Sequence, residues 1–575
     1  MNLRERGLVA VVLVLLAGTG LAIVATSRPT APTATATPAA SPASDLLREG
    51  VVGTITTLDP LYATGPAEMD VDALMFRGLT KLGPDGTIEP DLAASWETSS
   101  DGLTWTFTLR NDVLWDDGQP LTADDVTFTI LTLQHPDYDG PRGRAWSDVV
   151  VQRVDRFTVR FTLGTALGSF LAATRQPIVP AHLLAAIPIA QRRTASFATA
   201  PVGSGPFRFS GSAGGVVHLV RLGPPPGGPV ALPSDPLASL PPGTPAATLP
   251  GLPRPFLNGI DLHTYATAAD AAAAFQAGDL DVVDDLPPAL TTGLAALPGV
   301  RRVVYPTTVL TVVVFNLRSA TSPFRDVRVR RAMLAAIDRP GLVEAVLGGA
   351  GTVSDVPIPP SSLLHDPDAA AAQAHDVSAA ATLLAAAGWK RSSGAWLAPG
   401  ASAADRLQVV TLDAATNPIL DAVAHRVVAD WATLGVAADV IGLSAAELFE
   451  GRLLPHEFDV AVINISLGDD PDLYPLLASG QAALGGANLA GYQSAKLDDL
   501  LSAAQGPGDL KARQARFATL GTTLAGELPF LTLYFAERVD LVRDRLVGPA
   551  PRELTTGSDR FWDVLTWRLA GTAAP

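Results

Sequence analysis

Three aspartates stand close together in residues 468–474, GDDPDLY, two residues after the strand-like run EFDVAVINI. A carboxylate offers several acceptor sites and a negative charge, enough to hold a cationic group by charge-assisted hydrogen bonds. By residue type alone, Asp469 and Asp470 read equally well as a solvated acidic turn capped by Pro471. A second pair, Asp116 and Asp117, could be imagined as acid and base, but beside Gly118 and Pro120 it reads as a tight turn. Patterns that carry chemistry are otherwise missing. No serine sits in G-x-S-x-G, there is no G-x-x-x-x-G-K-[ST], and no G-x-G-x-x-G opens a helix. The eight histidines form no H-E-x-x-H or other compact pair, and the absence of cysteine removes thiol nucleophiles, disulfides and thiolate metal sites. Nothing here demands an enzyme, and no cofactor or metal is expected.

The elements around these residues are locally specified. Leu103, Trp105, Phe107 and Leu109 alternate with Thr104, Thr106, Thr108 and Arg110, and Phe157, Val159, Phe161 and Leu163 repeat the pattern; each predicts a strand with one buried face. Between them, Thr122 to Asp125 reads T-x-x-D, a capping box for a helix carrying Val126, Ile130 and Leu133. Later, Asp326 precedes a helix with Val329, Ala332, Met333, Ala336 and Ile337 on one face. Asn417 and Pro418 open another in which Ile419, Val423, Val427 and Trp431 recur every fourth residue until Gly435. Val436, Ala438 and Val440 then alternate. Helix, glycine and strand at this spacing predict an α/β architecture.

With 575 residues, 47% of them hydrophobic, the chain can build two or three cores. Its formal charge of -16 argues against a nucleic-acid partner, which needs a basic surface. Arg4 and Arg6 precede the apolar run LVAVVLVLLAGTGLAIVA, an export signal that is either cleaved or kept as a membrane anchor. The Thr-, Pro- and Ala-rich tract behind it cannot bury a core and reads as a tether, so the folded part is expected outside the cytoplasm. Residues 223–255 are so dense in proline that ladders and helices are blocked, and an extended surface insertion is expected.

The run GTIEPDLAASWETSSDGLTWTFTLRNDVLWDDGQPLTADDVTFTI resembles the signature region of the family 5 extracytoplasmic solute-binding proteins, the dipeptide, oligopeptide and nickel binders that feed ABC importers. PVGSGPFRF, AFQAGDLDVVDDLP, FNLRSATSPFRDVRVRRAMLAAIDRPGLVEAVLGGAGT, LLAAAGW and LPFLTLYF resemble further family segments in the same order. The resemblance implies a two-lobed α/β fold of the type II periplasmic-binding-protein (venus flytrap) kind with an extra sheet-rich side domain. On this scheme residues 1–26 are the signal peptide or anchor and 27–45 the linker. Lobe I takes 46–75, 185–310 with the insertion at 223–255, and a return at 530–575. The side domain takes 76–184 and lobe II 311–529.

The resemblance also implies a function: capture of a small solute, foremost a peptide, and its delivery by a monomeric receptor to an ABC importer permease. The alternatives are a membrane-anchored sensory ectodomain and a secreted hydrolase. In peptide-binding relatives an aspartate of the second-lobe loop pairs with the ligand's α-amino group; Asp469 is the best positional match and Asp470 the next. Tryptophan, which many relatives carry shortly before this aspartate, is replaced here by Ser466 and Leu467. Asn316 and Tyr534 match positions near the family's cleft, Tyr534 reading equally as core. Thr64 and Gly65 are expected to offer backbone groups to an extended ligand. No basic residue stands out for a ligand carboxylate, and Arg318 reads as surface.

Overall fold

The computed structural model describes residues 46–570, apart from 85, 142–145, 223–251, 253, 370–372, 403, 405 and 507. The N-terminal apolar run, its tether and nearly all of the proline-rich insertion lie outside the described residues. Among the described residues, no helix is long and apolar enough to cross a membrane.

Period-two alternation builds the smaller sheet. The strand Thr104–Leu109 buries Trp105, Phe107 and Leu109, and Thr158–Leu163 buries Val159, Phe161 and Leu163. Their register sets Trp105 opposite Phe161 and Phe107 opposite Val159, so the aromatic faces coincide. Ala93–Thr98 and Val149–Asp155 complete a four-stranded antiparallel sheet. Helix Ala123–Gln134 starts at the expected capping box: the Thr122 amide donates to Asp125 Oδ2 at 2.8 Å, and the Asp124 amide donates to Thr122 Oγ1 at 3.3 Å. Of the two aspartates before it, Asp117 stays in the turn, where its Oδ1 accepts from the Gln119 amide at 3.1 Å. Asp116 instead accepts from the Gly203 amide at 3.0 Å, and burial pushes its carboxyl up to about 7. That bend needs small residues: a Cβ on Gly203 would lie 2.3 Å from the Met75 carbonyl oxygen, and one on Gly205 2.5 Å from the Met75 carbonyl carbon.

The larger sheet runs through most of the molecule. Its strands lie in the order Ala438–Leu443, Leu407–Leu412, Val460–Ser466, Val300–Phe315, Leu531–Arg543, Val282–Val283, Leu47–Val52, Gly259–Tyr265, Val216–Arg221 and Phe207–Ala213, with Gly351–Val353 paired to Leu531–Arg543 off this path. The two long central strands serve two different apolar cores. Val303, Tyr305 and Val542 pack with Leu47, Val51 and the aromatic residues of the small sheet, whereas Leu310, Val312, Phe315 and Phe535 pack with Met333, Val427 and Trp431. The division falls where the Val300–Phe315 and Leu531–Arg543 ladder shifts register, between Pro306 and Leu310. Two cores threaded by one pair of crossing strands make two lobes.

The second core follows from helix patterning. Asp326 caps helix Val327–Ala335, which buries Val329, Ala332 and Met333. Asn417 caps helix Pro418–Leu434, and Gly435, at φ 96°, ends it in the left-handed conformation. Val423, Val427 and Trp431 are buried as expected, while Leu420 rather than Ile419 completes the stripe.

Candidate functional site

Strand direction locates the cleft. In the first lobe Leu47–Val52 runs parallel to Gly259–Tyr265 and Val282–Val283; in the second, Leu407–Leu412 runs parallel to Ala438–Leu443 and Val460–Ser466. Val460–Ser466 is antiparallel to Val300–Phe315 and ends opposite Val309, while Val282–Val283 is antiparallel to Leu531–Arg543 and heads toward its Phe535 end. Both sets of carboxyl ends therefore aim at the register shift between the lobes. Crevices outside the carboxyl ends of parallel strands are where α/β sheets bind ligands.

The loop leaving Val460–Ser466 carries the three aspartates to this crevice, and each is already engaged. Asp469 accepts from Arg175 Nη1 on Oδ2 and from the Thr555 hydroxyl on Oδ1. The other end of the Arg175 guanidinium donates to Asp559 Oδ1. Asp559 Oδ2 in turn accepts from the Thr555 and Thr556 amides at 3.1 and 2.7 Å. Burial acts against charge on both Arg175 and Asp559, but the pairing wins, raising the arginine and holding the aspartate below its ordinary value. Asp470 receives Arg513 Nη2 on both oxygens, at 2.8 and 2.7 Å, which ties it to helix Leu510–Glu527 of its own lobe. Asp472 accepts from Gln505 Nε2 at 2.9 Å.

The remaining expected site residues are placed differently. The Thr64 and Gly65 amides donate to Glu68 Oε2 at 2.9 and 3.0 Å, and Glu68 Oε1 accepts from the Thr56 amide and hydroxyl at 2.8 and 2.6 Å. One buried carboxylate thus consumes the backbone donors of that loop. Asn316 stands beyond Phe315, at the end of its strand far from the register shift, and donates to the His456 and Phe458 carbonyls at 2.9 and 3.0 Å. It borders a cavity of about 760 Å³ on that pole, with Arg318 and Trp396. Tyr534 is 2% exposed, sits opposite Thr311, and belongs to the second core; burial pushes its phenol up to about 12. Asn316 and Tyr534 therefore leave the cleft, the first because of strand direction and the second because its face of the sheet is covered.

Arg175 went unmarked in the sequence. Its partners lie 294 and 384 residues further on, and ATRQP carries no local pattern that would find them. A second unforeseen cluster is buried in the first lobe. Arg560, fully buried, donates to Glu49 Oε1 at 2.6 Å and to Asp70 Oδ1 and Oδ2 at 2.6 and 2.7 Å, and Arg538 donates to Asp284. Glu49 is pushed up to about 7 by burial, with Arg560 offsetting only part of the effect. Among the described residues, no group of three His, Cys, Asp or Glu side chains could hold a metal ion.

Such an arrangement, two lobes on crossing strands with polar residues at the facing strand ends, defines a type II periplasmic-binding-protein fold. The family of bacterial extracellular solute-binding proteins, family 5, matches residues 87–483, and the chain belongs to it. It is 26% identical over 505 residues to the oligopeptide-binding protein AppA of Bacillus subtilis, covering 87% of this chain and 88% of that one. It is 29% identical over 538 residues to protein XP55 of Streptomyces lividans, covering 92% and 88%. The solved structure of AppA from Bacillus subtilis in complex with a nonapeptide superimposes with a TM-score of 0.67 at 25% identity, over 91% of this chain and 98% of that one.

Proposed function

We propose that this chain captures a short peptide between its two lobes and hands it, chemically unchanged, to the permease of an ABC importer. The observation that carries the reading is the convergence of both sets of strand ends on one crevice, where a second-lobe loop already reaches across to Arg175 and Thr555. A solute held there touches both lobes only when they are closed, so it raises the closed population by its differential affinity for that form. Peptides are favoured because AppA of Bacillus subtilis is an oligopeptide-binding protein solved with a nonapeptide, and a protein of Brucella ovis 25% identical to this chain is described as a putative ABC transporter peptide-binding protein.

In this reading lobe I is built from residues 46–75, 185–310 and 530–575, the side domain from 76–184, and lobe II from 311–529. The receptor works outside the cytoplasm as a monomer, held at the membrane by its N-terminal apolar run or freed by cleavage of it. Native mass spectrometry of protein purified without denaturation tests the proposal. A bound mass, or a family of masses, that fragments as short peptides is expected; a single non-peptidic adduct, or a solute chemically altered during incubation, would contradict it.

A further inference from the structure

Resting on the peptide reading above, the closed cleft says which end of a peptide it rejects. Both carboxylate oxygens of Asp469 are occupied by donors of the chain itself, Arg175 on one and Thr555 on the other, and its side chain is 12% exposed. An arriving ammonium group would have to share the carboxylate with a guanidinium that already matches its charge. It would also meet two guanidinium groups, because Arg552 stands near Asp469, Asp559 and Arg175. Arg552 is held by the Leu82 and Gly83 carbonyls at 3.1 and 3.0 Å, and its buried Nε carries a hydrogen with no acceptor. Around Asp469 the group without a partner is thus a donor, while the charge of Asp469 is already matched by Arg175. Glu553 also faces this cluster; its Oε2 accepts from the Ser361 hydroxyl, and burial raises its carboxyl, which lowers its worth as a partner for a cation.

We propose that Arg175 is a specificity-determining residue that supplies the cation for Asp469 from within the chain, so that the cleft takes peptides bearing no free ammonium there, N-acylated or cyclised ones. The Arg175–Asp469 pair also joins the two lobes, along with the Gly168 amide, which donates to the Gln505 carbonyl at 3.3 Å.

Calorimetric titration of a peptide and its N-acetylated twin tests this. The acetylated form is expected to bind the wild-type receptor at least about tenfold more tightly, the scale of one charge-assisted hydrogen bond weakened by a competing cation. Arg175→Met, which leaves Asp469 held only by the Thr555 hydroxyl and without a cation, should erase or reverse that preference. Equal or tighter binding of the free-amine form to the wild type overturns the proposal, as does a preference that responds to Glu553→Gln and not to Arg175→Met. If neither twin binds, the peptide reading fails, and the Arg175 inference is decided without ligand. Thermal unfolding of Arg175→Met, Asp469→Asn and the double variant should then show losses that are not additive; additive losses would overturn it.

Discussion

Pro306 stands opposite Glu537 in the crossing strands, and the next paired residues are Leu310 and Phe535. An advance of four residues on one strand thus matches two on the other: the Thr308 amide turns away and donates to the Leu554 carbonyl at 3.1 Å, while the Thr307 hydroxyl, a side chain, donates to the Ala536 carbonyl of the partner strand at 2.6 Å. A bulge breaks the regular ladder and bends its strand. Because this one falls between the two cores, it is the place where the lobes can turn without either core being disturbed. Hydrogen exchange should therefore find the amides of residues 307–310 opening more readily than those of 312–315, and adding solute should slow the first group selectively. Uniform protection along the strand would place the hinge elsewhere.

Stability should fall as pH rises from about 5 to 8. Glu49 ionises near 4.5 in its ordinary state and near 7 in the fold, so the folded protein favours its protonated form. That contribution is complete below pH 4.5 and lost as pH climbs through 7, a shift worth roughly 3 kcal/mol. Asp284, held below its ordinary value against burial by Arg538 and Arg560, acts in the opposite sense and only at more acid pH. Asp116 and Asp59, raised by burial to about 7 and about 6, act in the same sense as Glu49. Glu49→Gln should therefore lessen the fall in melting temperature across pH 5 to 8 without abolishing it; an unchanged slope would assign the titration to those groups.

Arg330 ought to be the least replaceable arginine of the second lobe. Fully buried, it donates from Nε to the Leu528 carbonyl at 2.7 Å, from Nη1 to those of Phe324 and Arg325 at 2.6 and 2.9 Å, and from Nη2 to that of Glu527 at 2.6 Å. Two of these carbonyls end helix Leu510–Glu527, where a positive charge is also favoured by the helix dipole. Arg330→Met keeps the apolar stem but strands several buried acceptors, and chemical denaturation should show a loss of about 3 kcal/mol or more.

Much of this was legible in short stretches of sequence. The Thr122 capping box, the alternation around Phe107 and Phe161, and the Gly435 stop each act within one element, so residue type and spacing suffice. The lobes and the family membership were legible too, because six segments resemble the family in order. What lay beyond reach depends on strand direction and on partners far along the chain. Asn316 follows the same strand as the cleft residues but at its wrong end, and Thr64 and Gly65 spend their amides on Glu68. Asp469 is recognisable as a carboxylate at a loop, whereas Arg175, which decides what that carboxylate can do, enters from a segment 294 residues away.

Closure over a solute is the central claim, and inter-lobe distance measures it most directly. The chain has no cysteine, so Ala269→Cys in the first lobe and Ser502→Cys in the second, both exposed, give a clean pair for spectroscopic labels. The solute pool released by denaturing the purified receptor, added back to stripped and refolded protein, should shift the distance distribution toward a shorter, narrower peak. A distribution that ignores the returned pool, while binding is still detected, would contradict the account.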